Sequence, residues 1–153
     1  GLKPTEKNDF AINQTKAFEN EYGKLKLAIG GTGLFITILS LVVGGIGIMN
    51  IMFVSVKERT KEIGVRKALG ATSKMILTQF LMESITICII GGGTGLILAY
   101  GASIFIQNFF PSTLPIWLAL ISIVMSIAVG VLSGLVPSYQ AARMDPIEAL
   151  RHE

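Results

Sequence analysis

The chain has 153 residues, of which 51% are hydrophobic and 15% charged, with a formal net charge of +3. Ordinary soluble domains carry about 25% charged residues, and here the few charges are also clustered, with none between Leu27 and Val56 or between Ser84 and Ala142. A domain folded wholly in water is excluded, and so are functions that need a strongly charged surface, nucleic-acid binding among them.

The start, Gly1-Leu2-Lys3-Pro4, has no initiator Met and no basic-then-apolar leader, so it reads as cut from something longer. From Asp9 to Lys26 the residues are polar, yet Ala11, Phe18, Tyr22, Leu25 and Ile29 fall on one helical face. Residues 1–24 are therefore expected to form a stalk helix, or a linker, leading into a first span over residues 25–56. A helix from Asp9 to Val56 would be about 70 Å long at ~1.5 Å per residue, well beyond a hydrocarbon core of ~30 Å. Gly23 is the weak point of that helix, costing up to ~1 kcal/mol relative to Ala. Ser40, Gly44, Gly45 and Gly47 give the first span a small-residue surface for packing.

Residues 57–74 hold Lys57, Arg59, Lys61, Arg66, Lys67 and Lys74 against Glu58 and Glu62. The positive-inside rule makes this basic loop cytoplasmic, with the N-terminus outside and the C-terminus inside. Val65, Ala68 and Leu69 share a face at i, i+3 and i+4, Gly70 suits the left-handed position that ends a helix, and Thr72 or Ser73 can cap the next one. A short amphipathic helix is expected along the membrane surface. Residue chemistry by itself favours contact with lipid headgroups, with docking into a protein cleft as the alternative.

A second span is expected over residues 75–106, an uncharged outer loop broken by Pro111 and Pro115 over 107–115, and a third span over 116–137. Buried backbone in lipid must pair with itself, so the spans are helices. Gly91, Gly95, Ala99 and Ser103 recur every fourth residue, as do Ser122, Ser126, Gly130, Gly134 and Ser138, and such ridges let helices approach closely. The two helices are expected to pack on each other, or one on a second copy. Glu83, with Gln79 one turn before it, is the charged residue well inside a span. It either pairs with a cation such as Arg66 or Lys67 or sits at headgroup level. In the tail, 138–153, Asp145 as N-cap, Pro146 at the first helical position and Glu148 three after the cap signal a short helix, with an interfacial anchor as the alternative. The fold class is thus an all-α membrane protein with three transmembrane helices, an N-terminal outer stalk and a short cytoplasmic helix.

Neither Gly91-Gly92-Gly93-Thr94-Gly95 nor Gly30-Gly31-Thr32-Gly33 ends in the Gly-Lys-Ser/Thr that holds terminal phosphates and magnesium. The single His152 and the single Cys88 form no metal or nucleophile cluster with acidic residues. The chain is expected to catalyse nothing and to bind no cofactor or metal itself.

The segment Glu58-Arg59-Thr60-Lys61-Glu62-Ile63-Gly64-Val65-Arg66-Lys67-Ala68-Leu69-Gly70-Ala71 resembles the hallmark segment of FtsX-like, MacB-type ABC transporter permeases. The stretch Gly44 to Met52, Glu83 followed by Gly91-Gly92, and the ending Ala141 to Arg151 occur in the same order, so the resemblance covers Leu41 to Glu153. Ser138-Tyr139 stands where the family often has Ala and a basic residue, and the family's first span and large outer domain have no counterpart here. The resemblance implies that the segment contacts an ABC ATPase subunit that carries ATP and magnesium, and that two permease copies work together in a bacterial inner membrane, with an outer-side adaptor as a further partner. It turns the reading of the amphipathic helix toward protein docking. Glu58, Arg59, Glu62, Arg66 and Lys67 would then supply ionic contacts, Ile63, Val65, Ala68 and Leu69 packing, and Gly70 the turn. The implied function is mechanotransmission, in which ATP hydrolysis drives outer-side efflux of a drug, peptide or lipoprotein, an activity tied to antibiotic resistance. A signalling scaffold that activates a cell-wall hydrolase is the alternative. A lipid-anchored assembly protein is a third.

Overall fold

A computed structural model describes residues 6–108 and 114–151, with side chains for 16, 18–108, 114–147 and 149. The Ala11 side chain of the apolar stripe, the Phe109 to Thr113 part of the outer loop, the Glu148 side chain and His152 lie outside what is described. Among the described residues five helices follow one another, α1 (Glu6–Glu58), α2 (Thr60–Ala68), α3 (Ser73–Gln107), α4 (Ile116–Arg143) and α5 (Pro146–Arg151), and no strand occurs. Three of them are long and apolar enough to cross a membrane: Phe18–Glu58 within α1, Ser73–Gln107 and Ile116–Arg143.

No proline falls between Pro4 and Pro111, so nothing in that stretch removes a helical N–H, and the seven glycines of α1 are tolerated where lipid demands internal hydrogen bonding. The chain divides into two compact units, residues 1–42 and 43–153, and the division falls inside α1. In the first unit, Phe18, Tyr22, Leu25 and Ile29 are exposed, and Lys24 Nζ donates to Glu21 Oε1 at 3.0 Å. Thr32, Thr37 and Ser40 turn their hydroxyls back onto the carbonyls of Ala28, Gly33 and Ile36, each at 2.8 Å.

The second unit is organised by the antiparallel pair α3 and α4. At 35 and 28 residues, they run to about 52 and 42 Å at ~1.5 Å per residue, so both project beyond the hydrocarbon. α4 does not stop at Pro137 but continues to Arg143, with Pro137 buried inside it. The pair meets at successive levels: a Cβ on Gly134 would stand 1.9 Å from Ser84 Oγ, one on Gly130 2.8 Å from the Ile85 Cα, and one on Gly92 2.0 Å from Ser126 Oγ. Ser84 Oγ also lies 3.0 Å from the Gly130 carbonyl, bonding across the pair. The α3 line that faces α4 is thus Ser84, Cys88 and Gly92, continuing the buried Ile76 and Phe80. Gly91 and Gly95, one position before Gly92 and three after it, face open space; Ala99 is exposed and Ser103 buried. On α4, Ser126, Gly130 and Gly134 all lie at the contact. α1 approaches α4 at Gly45, whose Cβ would stand 2.9 Å from Ser133 Oγ.

Large apolar side chains such as Ile97, Leu98 and Val124 are more than half exposed. Facing water they would form patches far beyond what a soluble monomer shows; facing acyl chains they need no cover.

Candidate functional site

The basic end of the second unit is built around α2. The Arg59 N–H donates to the Ser55 carbonyl at 3.0 Å, and Thr60 Oγ1 donates to the carbonyls of Val56 (3.2 Å) and Lys57 (2.8 Å). α2 therefore starts almost where α1 stops. It closes in a Schellman turn: the Gly70 N–H donates to the Lys67 carbonyl and the Ala71 N–H to the Arg66 carbonyl, both at 3.0 Å. Gly70 has a φ of +99° and is the positive-φ glycine of the described chain, a conformation glycine reaches without the Cβ clash that other residues suffer. Thr72 then caps α3, its Oγ1 accepting from the Met75 N–H at 3.3 Å.

One side of α2 is anchored. Ile63 is 2% exposed and joins Met52 and Val56 of α1, Ile76 and Phe80 of α3 and Ala141 of α4 in a core flanked by Ile48, Ala71 and Met144. Burying that isoleucine contributes on the order of 2 kcal/mol. Gly64, next to it, is buried as well.

Polar side chains tie the helix further. Arg59 donates to Glu83 Oε2 at 3.3 Å, while Arg66 donates to Gln79 Oε1 at 2.5 Å and pairs with Glu62 one turn back on α2. Glu83 is therefore held by Arg59, not by the Arg66 or Lys67 expected from sequence. The contacts run in opposite order along the two helices, so the earlier arginine reaches the later turn of α3 and Arg66 stops one turn short, at Gln79. Lys67 Nζ donates to the carbonyls of Ala142 (2.6 Å) and Met144 (2.8 Å) at the end of α4. α5 packs on α2; the Ile147 N–H bonds to Asp145 Oδ1 at 2.9 Å, and Ala149 is buried. Arg143 stacks over the Tyr139 ring at 5.0 Å.

The opposite side of α2 is open. Val65 is 47% and Leu69 84% exposed, Ala68 lies between them, also exposed, and Glu58, Lys61 and Glu62 are exposed around them. Of the sequence-chosen residues, Ile63 thus faces inward, Val65, Ala68 and Leu69 outward, and Arg59, Arg66 and Lys67 are engaged within the chain. Reasoning from sequence missed Gln79 as the Arg66 partner and the α4 carbonyls as the Lys67 partner. Charge spacing signals neither, because one partner is neutral and the other is backbone. Two helices joined by a capped turn, one face buried and an apolar strip with charged neighbours left outside, form a surface suited to receiving a protein cleft.

Residues 34–146 match the family described as FtsX-like permease C-terminal. The chain is 49% identical over 117 residues to the ABC transporter permease YknZ of Bacillus subtilis, covering 75% of this chain and 30% of that protein. It is 39% identical over 154 residues to the macrolide export ATP-binding/permease protein MacB of Syntrophobacter fumaroxidans, covering 99% and 22%. To MacB of Hahella chejuensis it is 45% identical over 142 residues, covering 90% and 21%. The chain spans less than a third of the length of these curated relatives. The family match takes in the later part of α1, the α2 segment and the small-residue pair α3 and α4, and the chain belongs to the FtsX-like permease family of ABC transporter permeases.

Proposed function

We propose that this chain is the membrane portion of an ABC exporter permease in which α2 receives an ATPase subunit and passes that subunit's movement to the membrane helices. The observation that carries the proposal is the exposed strip Val65, Ala68 and Leu69 on a helix whose other side is held by Ile63. A surface helix meant only for lipid has no need of a buried anchor in the core. The basic end faces the cytoplasm by the positive-inside rule, with residues 1–24 outside, and ATP and magnesium belong to the partner. Two relatives are named for macrolide export, which favours efflux of a drug, peptide or lipoprotein over outer-side signalling. A second permease copy packs on the free line of Gly91, Gly95 and Ala99, and an outer adaptor completes the path.

The test is co-purification of the full-length protein in nanodiscs with its ATPase subunit, comparing wild type with Leu69→Asp. Because Leu69 is 84% exposed, the variant is expected to fold normally and lose the complex together with its ATP turnover. A complex that survives the aspartate would sink the docking role of α2; no complex in the wild type would move the reading to a lipid-anchored assembly protein.

A further inference from the structure

We propose that Lys67 is a positioning residue, not a partner contact: by closing the C-terminal end of α4 it makes α2, α3 and α4 one moving body, so that a push on α2 displaces the α3–α4 pair directly. This rests on the docking role of α2 proposed above.

The last carbonyls of a helix have no intrahelical donor and carry partial negative charge. At the end of α4, the Ala142 and Met144 carbonyls both point to one ammonium, Lys67 Nζ, at 2.6 and 2.8 Å. The donor comes from α2, 75 and 77 residues away in sequence. The acceptors are backbone, so they cannot rotate away as a carboxylate partner could. Releasing them toward an outside partner would orphan two carbonyls in a partly buried place, at a cost that a surface ion pair does not repay. Arg59 to Glu83 and Arg66 to Gln79 fasten α2 to α3, and Ile63 shares a core with both α3 and α4. With Lys67 added, α2 is fixed to both members of the pair. The same lysine holds Met144, one residue before Asp145, whose side chain caps α5, so it also sets where α5 lies against α2.

The experiment compares wild type, Lys67→Met and Lys67→Arg in the full-length protein in nanodiscs, with and without the ATPase subunit. Methionine keeps the stem and loses the donors; arginine keeps donors. Hydrogen exchange at the Met144, Ile147 and Ala149 amides is expected to rise roughly tenfold in the Met variant, the effect of losing a charged hydrogen bond, and to stay near wild type with Arg. The Met variant is expected to keep the ATPase complex but lose ATP turnover, which Arg restores. Unchanged exchange in the Met variant would overturn the proposal, and so would loss of the complex with exchange unchanged, which would place Lys67 against the partner. Absence of a complex in wild type would count against the docking role, and the exchange result would then decide the helix-closing role by itself.

Discussion

Gly134 and Ser84 stand so close that a methyl group on the glycine would lie 1.9 Å from the serine oxygen and 2.6 Å from its Cβ. The serine hydroxyl is also held between the carbonyls of Leu81 (2.8 Å) and Gly130 (3.0 Å), so it does not move aside freely. Gly134→Ala is expected to destabilise the α3–α4 pair by about 1–3 kcal/mol, the usual range for overpacking. Adding Ser84→Gly should recover part of that. Thermal unfolding in detergent measures both, and a Gly134→Ala protein that melts with wild type would show that the pair is looser than the contact implies.

Gly92 and Gly91 are neighbours with opposite surroundings: a Cβ on Gly92 would stand 2.0 Å from Ser126 Oγ, whereas one on Gly91 meets nothing within 4 Å. Gly92→Leu should lower the melting temperature clearly. Gly91→Leu should leave it unchanged while weakening the proposed association of two permease copies, read by cross-linking in nanodiscs. Equal effects of the two on stability would contradict this facing of α3.

At Gly70, with φ +99°, any β-carbon is strained. Gly70→Ala is expected to cost about 1–2 kcal/mol, and Gly70→Asn less, since asparagine tolerates the left-handed region best among the other residues. Denaturant unfolding ranks the three proteins; alanine matching glycine would mean that the α2–α3 turn can relax into another shape.

Ser138 is 0% exposed, and its hydroxyl has no hydrogen-bond partner among the described residues. Removing an unpaired buried hydroxyl should be neutral or stabilise, by up to about 1 kcal/mol in Ser138→Ala. A marked loss of stability would mean that the hydroxyl finds a partner, such as water or a second chain, in the assembled protein.

Lys61 is exposed on α2, and the topology proposed above from the positive-inside rule puts it in the cytoplasm. With Cys88→Ala as background, Lys61→Cys should resist a membrane-impermeant maleimide in intact cells and react once the cells are opened. Labelling in intact cells would invert the proposed topology.

The three apolar helices and the membrane class were legible because charge-free runs longer than a bilayer leave few alternatives. The turn at Gly70 was legible for a similar reason: a glycine followed by Thr72 is a local signal that needs no tertiary partner. Which face of α3 meets α4 was harder, since two adjacent lines, through Gly91 and through Gly92, both carry small residues. The deciding information lies in Ile76 and Phe80, whose burial sets the line extended by Ser84, Cys88 and Gly92. The roles of the α2 cations were hidden for another reason. A lysine looks the same in sequence whether it awaits an acidic partner or, as Lys67 does, ends another helix.

Several exposed hydroxyls along the spans spend their hydrogen bonds at home. Thr32, Thr37 and Ser40 in α1, Thr86 in α3, and Ser122 in α4 each bond to a carbonyl one turn back on their own helix. A helix surface finished in this way asks nothing of its neighbour, so it can slide, rotate or exchange one companion for another without stranding a donor in hydrocarbon. For a protein whose proposed work is repeated displacement inside a bilayer, such self-contained polar groups act as a bearing surface. Ser84, bonded across to Gly130, marks the pair that travels together.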